Sequence, residues 1–120
     1  MMRKIKFRAK GKSSGNWYYG YYIVFNGQSF IQEKNGNMIA VLSETVGQFT
    51  SSKDKNGKEI YEDDIINYQY NYQNYMSLVK YEGASFYAGY NLLEQTEIVE
   101  IIGNKYENPE LLGDVNECSR

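Results

Sequence analysis

The 120-residue sequence contains no histidine. That absence removes the commonest general base, the commonest metal ligand and every nucleophile arrangement built on a Ser-His or Cys-His pair. A single cysteine, Cys118, can form no intramolecular disulfide and no Cys-based zinc site, which fits a reducing compartment. Met1 to Lys12 is basic but leads into no apolar leader segment, and no run approaches the roughly 20 apolar residues that cross a bilayer. No Gly-rich loop runs into Lys-Ser or Lys-Thr, so a phosphate cradle of that type is excluded. There is one proline, and it lies near the end.

What is abundant is tyrosine, thirteen of them, with eleven glycines and 42% hydrophobic residues. Aromatic residues fit a pleated surface, and a chain of this size can bury a core without metal or disulfide staples. From Lys4 to Lys12 every even position is basic (Lys4, Lys6, Arg8, Lys10, Lys12) while Ile5, Phe7 and Ala9 are apolar, the period-2 pattern of a strand with one cationic face. Trp17 to Phe25 reads as a second strand, Asn26-Gly27 as a hairpin turn, Ser29 to Glu33 as the return strand and Met38 to Leu42 as a further short strand. Glu44 to Thr50 reads as a strand, and Ser51 to Lys58 as a charged loop.

Beyond that loop, Ile60, Tyr61, Ile65 and Ile66 re-enter the core. Tyr68, Tyr70 and Tyr72 would line one face of an extended strand, with Tyr75 close behind. Met76 to Tyr81 and Ala84 to Tyr90 flank a hairpin at Glu82-Gly83, and Glu97 to Ile102 is the last strand. Asn108-Pro109-Glu110 has a capping side chain, a proline at the first helical position and an acid in the first turn, so one short helical turn is expected. The expected organisation is an N-terminal β-meander over residues 1–43, a small barrel over 44–112 and a flexible tail over 113–120, within a mainly β fold.

Two stretches carry possible chemistry. Asp54, Glu59, Glu62, Asp63 and Asp64 place five acids within eleven residues, a set of oxygen donors that could hold a divalent cation or pair as acid and base. Lys53, Lys55 and Lys58 lie among them and favour a solvated, charge-balanced turn. Alignment to a calcium loop fails: with Gly57 at the sixth position, Ser52 stands first and Glu59 falls where an apolar residue belongs. The second stretch is the tyrosine run. Exposed aromatics can stack unpaired bases, and tyrosine is also enriched at protein interfaces.

The segment Thr45-Val-Gly-Gln-Phe-Thr50, followed by Lys53-Asp-Lys-Asn-Gly-Lys-Glu-Ile-Tyr-Glu62 and Asp64-Ile-Ile66, resembles the YopX-like family of phage and prophage proteins. Met2-Arg-Lys-Ile-Lys-Phe-Arg-Ala9, Ile102-Gly-Asn104 and Tyr106-Glu-Asn-Pro-Glu-Leu-Leu112 agree with it in order, so the resemblance runs nearly the full length. It implies a β-rich fold with an SH3-like barrel in the C-terminal part, a phage or prophage gene and synthesis in the bacterial cytoplasm. It implies no particular activity. The chain departs from the family pattern at Thr50-Ser51-Ser52, where Thr-Gly-Leu is usual, and at Asp63, where Gly is usual. It departs again at Lys10, where an aromatic is common, and at Lys105, where an apolar residue is common.

The residues favour a non-catalytic protein-interaction or self-association module, acting through Tyr68, Tyr70, Tyr72 and Tyr75 on a host or phage protein or on a second copy. No cofactor and no membrane are expected. The alternative is single-stranded nucleic-acid binding, with those tyrosines stacking on bases and the Lys4, Lys6, Arg8, Lys10, Lys12 face tracking phosphates.

Overall fold

A computed structural model describes residues 5–114 and shows a mainly β protein in two compact units, Met1–Phe49 and Thr50–Arg120. Lys4 of the basic face and the tail from residue 115 onward lie outside the described residues.

The first unit contains β1 (Phe7–Lys10), β2 (Trp17–Phe25), β3 (Gln28–Gln32), β4 (Met38–Ala40) and the start of β5 (Gly47–Lys53). β1 pairs antiparallel with β2, β2 with β3 and β3 with β4, so the expected meander is present. It also curls back on itself. Gly11 and Val41 form an antiparallel bridge, the Lys12 N–H donates to the Ala40 carbonyl and the Leu42 N–H to the Lys10 carbonyl, both at 2.9 Å. The meander's last strand thus meets its first, which removes an open edge. Ala9, Ile31 and Val41 are fully buried inside the curl, with Phe7, Tyr18, Ile39 and Val46 packed on them. Each large apolar side chain buried here contributes roughly 1.5–3 kcal/mol. Gly20 permits the tight curl between β2 and β3: its φ is +157°, and a Cβ there would stand 2.1 Å from the Gln32 carbonyl oxygen.

Ser43–Thr45 form a 3-10 turn, not the beginning of a strand as the Glu44 to Thr50 pattern predicts. The cause is Thr45, whose hydroxyl donates to the Leu42 carbonyl at 2.7 Å and accepts the Lys10 N–H at 2.9 Å. Such a side-chain bond offers the backbone an alternative to the ladder. The strand proper starts at Gly47, and within β5 the chain passes from the first unit to the second.

The second unit contains the rest of β5 with β6 (Glu59–Tyr61), then β7 (Asp64–Tyr70), β8 (Gln73–Glu82), β9 (Ser85–Ala88), β10 (Asn91–Leu92) and β11 (Glu97–Asn104). The last five form an antiparallel sheet in the order β10-β9-β8-β7-β11. One face buries Ile60, Ile66, Tyr68, Val79, Phe86, Ala88 and Leu93. The register of β11 on β7 slips at Val99 and again at Ile102, two bulges that bend the strand as a curving, barrel-like sheet requires. The expected short helical turn is present as 3-10 helix over Pro109–Asp114.

Three two-residue hairpin turns have both central residues at positive φ: Asn26-Gly27, Asn71-Tyr72 and Gly83-Ala84. This is the turn whose twist matches paired strands. Only the first was legible. The second interrupts the run that the alternating tyrosines predict as one continuous strand, and the third sits one residue later than the expected Glu82-Gly83 turn.

Candidate functional site

The acidic stretch is committed to structure. Asp54 is buried, its Oδ1 accepting the N–H groups of Asn56 and Lys58 at 2.9 Å and its Oδ2 the N–H of Ile101 at 3.1 Å. Burial acts to raise its pKa. The N–H bonds from Lys58, Ile101 and Asn56 and the Lys58 charge outweigh that and hold the carboxyl below its ordinary value. Asp64 Oδ2 accepts the Tyr61 N–H at 2.8 Å, and Glu59 accepts the Tyr61 hydroxyl at 3.1 Å. Asp63 Oδ2 accepts the Tyr106 hydroxyl at 2.8 Å, and its backbone carbonyl takes the Lys105 N–H. The turn is solvated as expected, with Lys53, Lys55, Asn56, Gly57 and Lys58 exposed, but Asp54, Asp63 and Asp64 are buried and used as hydrogen-bond acceptors. Among the described residues, no three His, Cys, Asp or Glu side chains are grouped to hold a metal ion.

The four tyrosines of the expected interaction surface separate. Tyr68 is core, its hydroxyl donating to the Ala88 carbonyl at 3.2 Å and its ring stacked on Tyr75 at 5.4 Å. Tyr70 and Tyr75 are half-buried against the same core. Tyr72 is fully exposed at the tip of the β7–β8 turn, with φ +66°. Alternation carries Tyr68 and Tyr70 onto one face, as predicted, and the turn removes Tyr72 from it.

Lys6, Arg8 and Lys10 do share the outer face of β1, as the alternation requires. Their charges lie over rings: Arg8 is 4.3 Å from the Trp17 ring centroid, Lys10 5.5 Å from the same ring and Lys6 5.2 Å from Phe49. Arg8 is buried and Lys6 and Lys10 are half-buried, while Lys12 is exposed in the following turn.

Sequence reasoning missed the outer face of β2. Across the ladder Arg8 sits opposite Tyr19 and Lys10 opposite Trp17, so Trp17, Tyr19, Tyr21, Ile23 and Phe25 follow the cationic parity, away from the Ala9–Ile31–Val41 core. Tyr21 and Phe25 are each 65% exposed, and Tyr19 and Met38 46%. A signal was available, since aromatics occupy both parities of Trp17–Phe25 and one core cannot take both.

In the second unit, a groove of about 470 Å³ lies between the β7–β8 turn and residues 94–97, lined by Gln69, Tyr70, Asn71 and Tyr72 on one side and by Glu94 and Glu97 on the other. A neighbouring groove of about 430 Å³ shares Glu94 and Glu97 but carries Lys53 and Lys55. No described helix is long and apolar enough to cross a membrane.

Among solved structures, the chain is similar to protein EF1440 from Enterococcus faecalis, with 21% identity and a TM-score of 0.59, over 92% of this chain and 99% of that one. At that identity the likeness shows the fold alone. No curated protein matches the chain. The YopX protein family model matches residues 6–113, nearly the whole length, and takes in β1, the Asp54 loop and the Asp63–Tyr106 contact. The chain belongs to the YopX family.

Proposed function

We propose that this is a non-catalytic accessory protein of phage or prophage origin, working in the bacterial cytoplasm, which self-associates through the outer face of β2 to β4. The observation that carries the proposal is the row Tyr19, Tyr21 and Phe25 with Met38, all well exposed on one sheet face. Monomeric soluble proteins seldom leave such a patch without a use. At 150–250 Å² per aromatic side chain and 46–65% exposure, the three rings of the row expose on the order of 350 Å² per copy. Two copies would bury about 700 Å² from these rings, more than half of the roughly 1,200 Å² at which specific interfaces begin, with Met38 and its surroundings adding to it. The large exposed side chains in the row are uncharged, so no like-charge repulsion within the row opposes its pairing with a second copy about a two-fold axis.

Non-catalytic character is supported by the use of Asp54, Asp63 and Asp64 as backbone and hydroxyl acceptors. The nucleic-acid alternative draws less support: Tyr68 is core, the β1 cations lie over rings, and Glu94 and Glu97 beside Tyr70 and Tyr72 would repel phosphate. Sedimentation velocity tests the proposal. The wild type should be dimeric in the micromolar range and Y21S/F25S monomeric with unchanged circular dichroism. A wild type that stays monomeric at high micromolar concentration overturns it.

A further inference from the structure

We propose that β2 pairs with β2 of a second copy along its uncovered edge from Tyr21 to Phe25, antiparallel about a two-fold axis at Ile23. β1 covers β2 only from Trp17 to Gly20, and β3 takes the opposite side from Tyr21 to Phe25. The ladder fixes which backbone groups face the uncovered side. The Ser29 carbonyl accepts the Val41 N–H at 3.0 Å, so it points away from β2. Facing residues of an antiparallel pair exchange both bonds or neither, so Val24, opposite Ser29, turns its own N–H and carbonyl away from β3. Tyr22, two residues back, does the same. Among the described residues no strand bonds to these groups.

Exposed edges are ordinarily blunted by a charge, a proline or a bulge. Tyr21-Tyr22-Ile23-Val24-Phe25 has no charge and no proline, and its register on β3 runs without a slip. The segment is apolar on both parities: Tyr21 and Phe25 are exposed on the outer face, and Val24, on the other, is 58% exposed. The occupant is a second copy because the register is self-complementary. With Tyr22 opposite Val24 of the other copy, the two residues exchange both main-chain bonds, and the two-fold axis repeats that pair. The same register sets Tyr21 against Phe25, an aromatic cross-strand pair, and Ile23 against itself. This edge contact is distinct from packing through the outer face and does not require it.

Amide hydrogen exchange, read by NMR at low and at high micromolar concentration, tests the proposal. The Tyr22 and Val24 amides should gain about tenfold or more protection at the higher concentration, while those of Tyr21, Ile23 and Phe25, already bonded to β3, change little. Val24→Pro removes an outward N–H without touching the β3 ladder, and should weaken association by about tenfold or more in sedimentation velocity with unchanged circular dichroism. Ile23→Lys and Ile23→Glu should each be monomeric alone and associate when mixed, because the two-fold axis sets position 23 against itself; this arm stands even if Val24→Pro fails to fold. A monomeric wild type, protection of Tyr22 and Val24 that does not depend on concentration, or a mixture of the charge variants that stays monomeric would each overturn the proposal. A wild type that associates with both amides still unprotected overturns the edge contact and leaves the face reading standing. Protected amides in a Y21S/F25S variant that still associates would do the reverse.

Discussion

Lys105 Nζ lies 3.9 Å from Oδ1 of Asp63, and these are two of the positions at which the chain departs from the YopX pattern. Asp63 stands where the resemblance leads one to expect glycine, at φ +75°, a conformation that costs a non-glycine residue roughly 1–2 kcal/mol. The buried carboxylate is compensated by the Tyr106 hydroxyl at 2.8 Å and by the nearby ammonium. Lysine in place of an apolar residue at 105 is therefore intelligible from what the aspartate at 63 needs.

A double-mutant cycle in urea should separate the two partners. Tyr106→Phe should cost about 1–2 kcal/mol, because a half-buried charge-assisted hydrogen bond is lost. Lys105→Ala should cost under about 0.5 kcal/mol, since its side chain is 42% exposed and the distance is long. Asp63→Gly should relieve the backbone while losing both contacts and come out near neutral. A strongly destabilised Asp63→Gly would show that φ at 63 is not the governing cost.

Ser51, the other residue standing where the resemblance leads one to expect glycine, is exposed at φ +72°. Ser51→Gly should stabilise by about 0.5–1 kcal/mol, the left-handed penalty less the extra entropy of glycine in the unfolded chain. Thermal unfolding measures it, and a lower melting temperature would contradict the assignment.

Asp54 sets a pH dependence. Its carboxyl is held below the ordinary value of 3.8, so the folded state favours the ionised form. The resulting stability is present in full above 3.8 and is lost as pH falls from there through the folded-state value, because over that span the unfolded chain binds more protons. Acid denaturation of Asp54→Asn should lack this component. The variant should also be less stable at neutral pH by about 2 kcal/mol or more, since its amide oxygen cannot satisfy three N–H donors as a carboxylate does.

The tyrosines should divide by burial. Tyr68→Ala should cost about 3–5 kcal/mol and Tyr68→Phe about 1 kcal/mol, the latter for the bond to the Ala88 carbonyl. Tyr72→Ala should leave stability within about 0.5 kcal/mol. Urea midpoints check all three, and a large loss at Tyr72 would place it in a packed environment.

Period-2 alternation and Asn-Gly determined by themselves that this is a mainly β protein, where β1 to β3 lie and which side of β1 is cationic. A strand's side-chain period is a local property, and a turn that recruits Asn-Gly announces itself. The family was legible for a related reason: the Asp54 loop, Asp64 and the 102–112 segment are used as specific hydrogen-bonding shapes, so their residues are constrained one by one. Tertiary structure alone decided which tyrosines matter. Asn71-Tyr72 turns without the usual glycine, because pairing along β7 and β8 forces the chain to reverse there, and that single reversal puts Tyr68 in the core and Tyr72 in solvent. The two parities of Trp17–Phe25 signal more aromatics on β2 than one core can take, but alternation could not say which of them the curl would bury. The size of a core is set by how strands close, and only that closure left Tyr21 and Phe25 outside.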